Sequence, residues 1–468
     1  MSLMTPEQYR ESLRDGRVVY WDGELIDDVS THARFKVPVE LAMEDFRYSD
    51  PVLGPVLSYK AETGERANRI FQIPRDESDL AARMELMNSI SVVTGVTGVF
   101  MALMSAKDAI GREYPQYAEN IERMYKHARD NDLRGAEVIT DAKGDRKRRA
   151  HEQDDPDLYL RIVERTREGI VVRGAKLHIT GASLVHELVV MPTKGMRPEE
   201  ADYAVSFSIP VNTPGVTIIN RSFARPDLNE FDFPASSRHS VPEGFVVFDD
   251  VFVPWDRVFL AGEVAFASTL AQSLGLWERT AGLVEAIKIS QLLIGLGQLV
   301  SEMQGKEKDP AVQAVMAELI CFGEMTRMGL DYACRHYATT EGGMVYPNTL
   351  AVNAAKYYFA ANYHVMVRNL QDIAGGLVAT LPAEADLRNS VAGKYLRKYL
   401  HTKKDVDIEA RMRIFNLIRD VTAEAYGGWL MITSLQGGGG LTAQRVMMNR
   451  SYDLVAAKKR ALSAAGVV

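Results

Sequence analysis

Between positions 80 and 135 apolar residues return every third or fourth place: Leu80, Met84, Met87, Ile90, Val93 and Val96. That spacing lays one apolar stripe along a 3.6-residue turn and predicts helix over most of the segment. The period then changes. Residues 158–163, 170–173, 177–180 and 188–191 alternate or run apolar between glycines and predict a β-meander. Gly174-Ala175-Lys176 is expected as a turn within it, and Gly181-Ala182-Ser183 as a tight corner. Such a corner leaves backbone N–H groups and the hydroxyls of Thr180 and Ser183 to meet a flat polar ligand; a plain β-turn explains the same residues. His178 and Thr180 flank Ile179 and share one strand face. Pro210, Pro214, Pro226, Pro234 and Pro242 argue against helix up to about residue 264. Beyond 266 proline is rare, and helices are expected over 266–303, 310–341, 347–377 and 405–434, with a last one over 441–464. At the start, Thr5 with Glu7 and Gln8 caps a short helix.

Composition narrows the partners. At 468 residues, 46% hydrophobic and 25% charged, the chain suits two or three packed modules of an ordinary globular protein. A net charge of −7 gives no reason to expect nucleic acid. The two cysteines, Cys321 and Cys334, have neither zinc nor iron–sulfur spacing and fit a reducing compartment. The charged start is no signal peptide, and no run of about 18 apolar residues stands out for a membrane span. A cytoplasmic location is expected.

Several segments in order carry a family resemblance: residues 140–146 (TDAKGDR), 155–164 (DPDLYLRIVE), 246–260 (VVFDDVFVPWDRVFL), 372–376 (DIAGG), 381–386 (LPAEAD) and the glycines 437–440. With residues 157–192 they resemble the family that joins 4-hydroxyphenylacetate 3-monooxygenases to 4-hydroxybutyryl-CoA dehydratases, and the dehydratase branch looks closer. The resemblance implies an α+β, acyl-CoA dehydrogenase-like fold. Its parts would be an N-terminal helical domain (1–145), a flavin-binding β-barrel (146–265) and a C-terminal four-helix bundle (266–468). It implies FAD, or FADH2 supplied by a reductase, and a homotetramer. Lys143, Asp145 and Arg146 would lie near FAD, Thr180 and Ser183 at the flavin corner, and Gly437 and Gly438 where backbone approaches the cofactor.

The chain departs from its relatives where substrate and metal are held. Ser105-Ala106-Lys107-Asp108-Ala109 replaces the hydroxylases' phenolate motif, and Glu137 replaces their histidine. Glu278 and Glu285 stand where the dehydratases place a histidine and a cysteine of an iron–sulfur cluster. Carboxylates do not hold such clusters, so none is expected and no metal site is assigned. Glu278 and Glu285 are seven apart and share a helix face ~10.5 Å along its axis. Either of them, or Glu137, is a candidate base with a pKa raised by burial. Solvated glutamates neutralised by Arg279 and Lys288 are the plainer reading.

Two enzyme classes compete. One is a two-component monooxygenase that hydroxylates a small, for instance aromatic, substrate. No Gly-x-Gly-x-x-Gly motif follows a strand, which fits reduction by a separate flavin reductase. The other is a cluster-free acyl-CoA isomerase or dehydratase-like enzyme acting on a CoA thioester. A helical scaffold without activity is a third, weaker reading.

Overall fold

Helix and strand segregate where the hydrophobic period changes. The structure, a computed structural model, describes residues 3–223 and 227–467, so Pro226 lies outside the described residues. The chain packs as two compact units, Met1–Glu278 with Thr339–Val345 and Arg279–Ala338 with Tyr346–Val468.

The first unit opens with helices α1 (Pro6–Ser12), α2 (Lys36–Glu44), α3 (Gly54–Leu57), α4 (Glu77–Ser89), α5 (Val92–Val96), α6 (Val99–Gly111) and α7 (Pro115–Asp130). Thr5 and Gln8 close a capping box on α1. Helix α6 is buried from Val99 through Met104. Helix α7 turns Tyr117, Ile121, Met124 and Ala128 inward, as its period requires. On that face Asn120 donates to the carbonyls of Trp255 (2.8 Å) and Val258 (2.9 Å). Helices and strands are therefore bonded together, and the expected parts 1–145 and 146–265 pack as one unit.

The strands up to Ala261 are β1 (Val19–Trp21), β2 (Glu24–Leu25), β3 (Ser58–Lys60), β4 (Arg66–Asn68), β5 (Gly135–Val138), β6 (Arg161–Arg165), β7 (Gly169–Thr180), β8 (Glu187–Val190), β9 (Val205–Pro210), β10 (Val216–Arg221), β11 (Glu243–Pro254) and β12 (Val258–Ala261). One sheet has the order β2-β1-β10-β11-β7-β6 and a second β12-β9-β8-β5, while β3 and β4 form a separate ribbon. The sheets meet at Phe207 of β9 and Phe248 of β11, edge to face at 6.0 Å. The expected barrel does not close. Closure needs a continuous ladder, and beyond β5 the chain meets β7 through Leu177 N donating to Thr140 O (2.7 Å) and a single bridge, Asp141 to Lys176. Both sheets keep edges, β2 and β6 on one, β12 and β5 on the other.

The expected turn at 174–176 is also absent, because β7 runs unbroken for twelve residues. Gly174 has φ +132°, and a Cβ there would lie 2.7 Å from the Leu160 Cα. The glycine lets a neighbouring segment cross the strand instead of turning it. Further on, the register shifts between Val246 and Gly244, so Leu177 and His178 together face Phe245, and His178 takes φ +58°. This is a β-bulge. It moves the buried positions from Ile170, Val172 and Lys176 to Ile179, and leaves His178 and Thr180 on the outer face.

The second unit is largely helical: α8 (Val264–Gln304, entering from the first unit), α9 (Pro310–Arg335), α10 (Thr349–Ala374), α11 (Leu377–Thr380), α12 (Glu384–Arg388), α13 (Ala392–Tyr399), α14 (Ile408–Thr422), α15 (Ala425–Gln436), α16 (Leu441–Ser451) and α17 (Leu454–Ala464). The helix expected to reach 341 stops at Arg335, and the one expected over 405–434 breaks at Ala423–Glu424, where Gly427 packs against the Thr422 backbone with no space for a Cβ. Phe322, Phe359 and Tyr363 stack in series at 5.3 Å between α9 and α10. Two stretches, 92–111 and 264–304, are long and apolar enough to cross a bilayer by length and composition. They escape a search for unbroken apolar runs because their hydropathy is an average; 67% and 44% of their most apolar windows are buried in the molecule.

Candidate functional site

The loop after β5 is shaped from the inside. Lys176 is buried, and its Nζ donates to Asp141 Oδ1 (2.7 Å), Ile139 O (2.9 Å) and Met191 O (3.1 Å). Burial lowers the Lys176 ammonium and Asp141 opposes the shift. The Thr193 hydroxyl bonds the other Asp141 oxygen. Gln153 then closes the loop, accepting from Asp145 N (2.9 Å) and donating to the carbonyls of Asp145 (2.9 Å) and Arg148 (3.2 Å). Gly144, at φ +54°, leaves room for that amide: a Cβ would sit 2.3 Å from Gln153 Oε1. Lys143, Asp145 and Arg146 are consequently exposed on the outer side. Asp145 accepts from Lys147 N (2.9 Å) and so caps its own turn. Partial desolvation lowers the Lys143 ammonium; Arg146, Lys176 and Lys194 add to this and Asp141 opposes it.

The corner at the end of β7 commits both of its hydroxyls. Thr180 Oγ1 donates to Glu243 Oε2 (2.8 Å), its partner in the ladder. Ser183 is fully buried and bonds Asn220 Oδ1 (3.2 Å), while Arg17 donates to the Ser183 carbonyl (2.8 Å). Ser183 therefore supports the corner from below and does not present its hydroxyl to a ligand. His178 stands outside the corner; desolvation first, then Lys143, lowers its imidazole. His186 is structural. It accepts from Arg134 N (2.8 Å), meets Ser12 Oγ (2.8 Å), and burial drives it down to about 3, so it is neutral.

These groups fit FAD. Three cations besides Lys143 act on that side chain against one acid. Of these Lys176 is spent on Asp141, and the exposed pair Lys143 and Arg146 has the chemistry to hold a diphosphate. A hydroxyl has one proton, and Thr180 gives it to Glu243. The Thr180 oxygen is thus left with acceptor capacity only.

Near the corner lies a second constellation. Glu137 on β5 feels the charge of Glu278 on α8, and both belong to the first unit. Burial, then Glu278, pushes the Glu137 carboxyl well above the usual carboxylate range, with Arg83 pulling the other way. Arg83 is buried on α4, stacks on Trp277 at 5.0 Å and donates to Ile70 O (2.9 Å). Burial lowers it to about 10, with Tyr125 and Glu137 opposing. Trp277 Nε1 donates to Ser105 Oγ (2.9 Å), which in turn donates to Met101 O (2.8 Å). Lys107 pairs with Glu122 (3.1 Å) and supplies no cation here. Glu137 is three residues before Thr140, which bonds Leu177. Three residues span at most about 10 Å, so Glu137 and the strand that ends in the Thr180 corner sit on adjoining backbone.

The other sequence candidates fall in the second unit. Glu285 is exposed and paired with Lys288 (2.5 Å), away from the buried pair. Arg279 donates to Gly438 O (2.7 Å) and Asn353 Oδ1 (3.0 Å). Gly438 has φ +74°, with its Cβ position 2.8 Å from Arg279 Cγ. Gly437 and Gly438 thus form a close-packed connector between α15 and α16. Cys321 is exposed and Cys334 buried on α9. Sequence reading missed Arg83, Trp277 and Glu243. Only Glu243 left a signal, as the ladder partner of Thr180 once β7 and β11 are paired.

Two open sheets, with Lys143 and Arg146 exposed on a loop beside an acid-backed threonine corner and a helical unit following, define a flavin-dependent oxidoreductase. The chain belongs to the 4-hydroxyphenylacetate 3-hydroxylase family, matching its N-terminal profile over residues 5–260 and its C-terminal profile over 267–466. It is 30% identical, over 99% of its length and 100% of the relative's, to a 4-hydroxybutyryl-CoA dehydratase/vinylacetyl-CoA-Δ-isomerase of Clostridium aminobutyricum. It is also 30% identical, over 91% of its length and 85% of the relative's, to an FADH2-dependent monooxygenase of Burkholderia cepacia. Among solved structures it is similar to a 4-hydroxybutyryl-CoA dehydratase of N. maritimus (TM-score 0.91, 28% identity, 100% and 96% of the two chains). The oxygenase component of 4-hydroxyphenylacetate 3-monooxygenase complexed with FAD gives a TM-score of 0.90 at 26% identity, over 98% of each chain.

Proposed function

We propose that the protein is the oxygenase component of a two-component system that hydroxylates a small organic substrate with reduced FAD and O2. The observation that carries the reading is the corner at the end of β7, where Lys143 and Arg146 stand exposed on the loop beside Thr180 and Glu243. The likeness to an FADH2-dependent relative supports it. Bound reduced FAD would supply the two electrons that activate O2, with the balance RH + O2 + FADH2 → ROH + H2O + FAD. Lys143 and Arg146 would hold its diphosphate, and Thr180 would orient the flavin edge. The Glu137–Glu278 pair would hold the substrate's polar end and carry a proton, since one carboxyl stays protonated beside the other.

A second reading has its own observation. A pair of carboxyls with one proton suits moving hydrogen between two carbons of an acyl-CoA, and the Clostridium relative is named for such an isomerisation. One experiment separates the two. The enzyme is loaded with reduced FAD without oxygen, and 18O2 is then admitted with a panel of small phenols and anilines. Incorporation of one labelled atom per product supports the monooxygenase. Anaerobic rearrangement of a β,γ-unsaturated acyl-CoA, with no labelled product, supports the isomerase.

A further inference from the structure

The corner at the end of β7 turns its protons toward the protein. The bulge at His178 leaves Thr180 on the outer face, directly opposite Glu243 of β11, and Thr180 Oγ1 donates to Glu243 Oε2 at 2.8 Å. Gly181 N donates to Pro242 O (2.8 Å), and Ser183 Oγ, buried beneath, donates to Asn220 Oδ1 (3.2 Å). With these donors spent, what Thr180 offers outward is a lone pair. The isoalloxazine ring of FAD changes character at one edge nitrogen on reduction. N5 is a bare acceptor in the oxidised ring and carries an N–H in the reduced ring, whereas N3–H is present in both. A hydroxyl held as an acceptor therefore distinguishes the two redox states at N5 and not at N3.

We propose that Glu243 is a positioning residue that acts through Thr180: by taking the hydroxyl proton it fixes Thr180 as an acceptor for the flavin N5–H, and the corner thereby prefers reduced to oxidised FAD. The inference rests on the reading that the flavin of FAD lies at this corner. Glu243 exerts two effects of opposite sign. The charge of a carboxylate disfavours the electron pair added to a reduced ring. Its acceptor oxygen favours the reduced ring, because a Thr180 released from Glu243 is free to turn its proton to the bare N5 of the oxidised one. Glutamine at this position keeps an acceptor for Thr180 without the charge, and leucine keeps neither. The step from Glu243→Gln to Glu243→Leu thus isolates the hydrogen bond at constant charge. A merely structural role for Glu243 would weaken both redox states of the flavin together.

The test uses the full-length enzyme and two probes, oxidised FAD titrated by fluorescence and FADH2 titrated by absorbance without oxygen. The unaltered enzyme is expected to bind FADH2 more tightly than FAD. The ratio of the two affinities is expected to fall roughly two- to tenfold from Glu243→Gln to Glu243→Leu, the difference that one ordinary hydrogen bond makes. In a Thr180→Val background the same two variants should give equal ratios, since the group through which Glu243 acts is gone. Equal ratios for the two variants with Thr180 present overturn the proposal, and so does a difference that survives Thr180→Val. An unaltered enzyme that binds FAD at least as tightly as FADH2 overturns it as well, and this needs no variant to fold. The labelled-oxygen experiment is read separately. Labelled product without the difference between the variants would defeat this inference alone, and the difference without labelled product would defeat the monooxygenase reading alone.

Discussion

At the residue scale Thr180 and Glu137 make opposite demands. Thr180→Val keeps the shape of the side chain and removes the proton given to Glu243. The bond that Thr180 would accept from a flavin N–H is an ordinary one, worth roughly 0.5–1.5 kcal/mol, so flavin affinity should fall roughly two- to tenfold. Titration with reduced FAD checks this, and unchanged affinity would take Thr180 out of the site. Glu137 behaves differently. Its folded pKa lies above the ordinary 4.5, so above that pH the native state keeps a proton that the unfolded chain has released. Stability conferred by that proton is lost as pH rises toward the folded value. Glu137→Gln, which never titrates, should therefore raise the melting temperature more at pH 8 than at pH 5. Thermal scans at the two pH values read the difference, and an equal shift at both would mean that Glu137 is not protonated in the fold.

At the element scale, β7 and the loop packed on it set the site. Gly174→Ala places a Cβ against the Leu160 backbone at a φ that L-residues avoid. It should cost at least about 2 kcal/mol, seen as a lowered urea midpoint with the slope unchanged. Asp141→Asn leaves the Lys176 ammonium buried without its counter-charge and should cost about 3–5 kcal/mol by the same measurement. A midpoint within error of the parent would show that the loop is held by other contacts. These elements also mark what the sequence makes legible. Periodicity located the helices, the meander and the Thr5 cap, because those depend on neighbours within one turn or one strand. It misread Gly174 as a turn, since only the crossing of residues 159–160 explains that glycine. It left the hydroxyls of Thr180 and Ser183 open, since Glu243 and Asn220 reach them through the fold. The pairing of Glu137 with Glu278 could not be seen from spacing: the two are far apart in the chain, whereas Glu285, seven residues from Glu278, shares its helix but ends on the surface.

At the scale of the whole molecule, the second unit exposes an apolar stripe on α9. Cys321, Met325, Met328 and Tyr332 recur at intervals of four, three and four residues, the last three 50–53% exposed. Such a stripe is sized for another helix, and we expect the chain to assemble with copies of itself, as a tetramer or at least a dimer. Light scattering should give that mass, and Met325→Glu with Met328→Glu should reduce it; a monomer with flavin bound would refute the assembly. The topology of the first unit carries a consequence of another kind. Strand β1 pairs in parallel with β10, Val19 opposite Ile218. During synthesis at about 5–20 residues per second, β1 leaves the ribosome roughly 10–40 s before its partner exists. Through that interval β1 has only the two-residue strand β2 to pair with, Trp21 opposite Glu24. Nascent chains stalled short of residue 218 should therefore be the ones that chaperones hold and proteases cut, and release should come only once β10 has emerged to receive the first strand made.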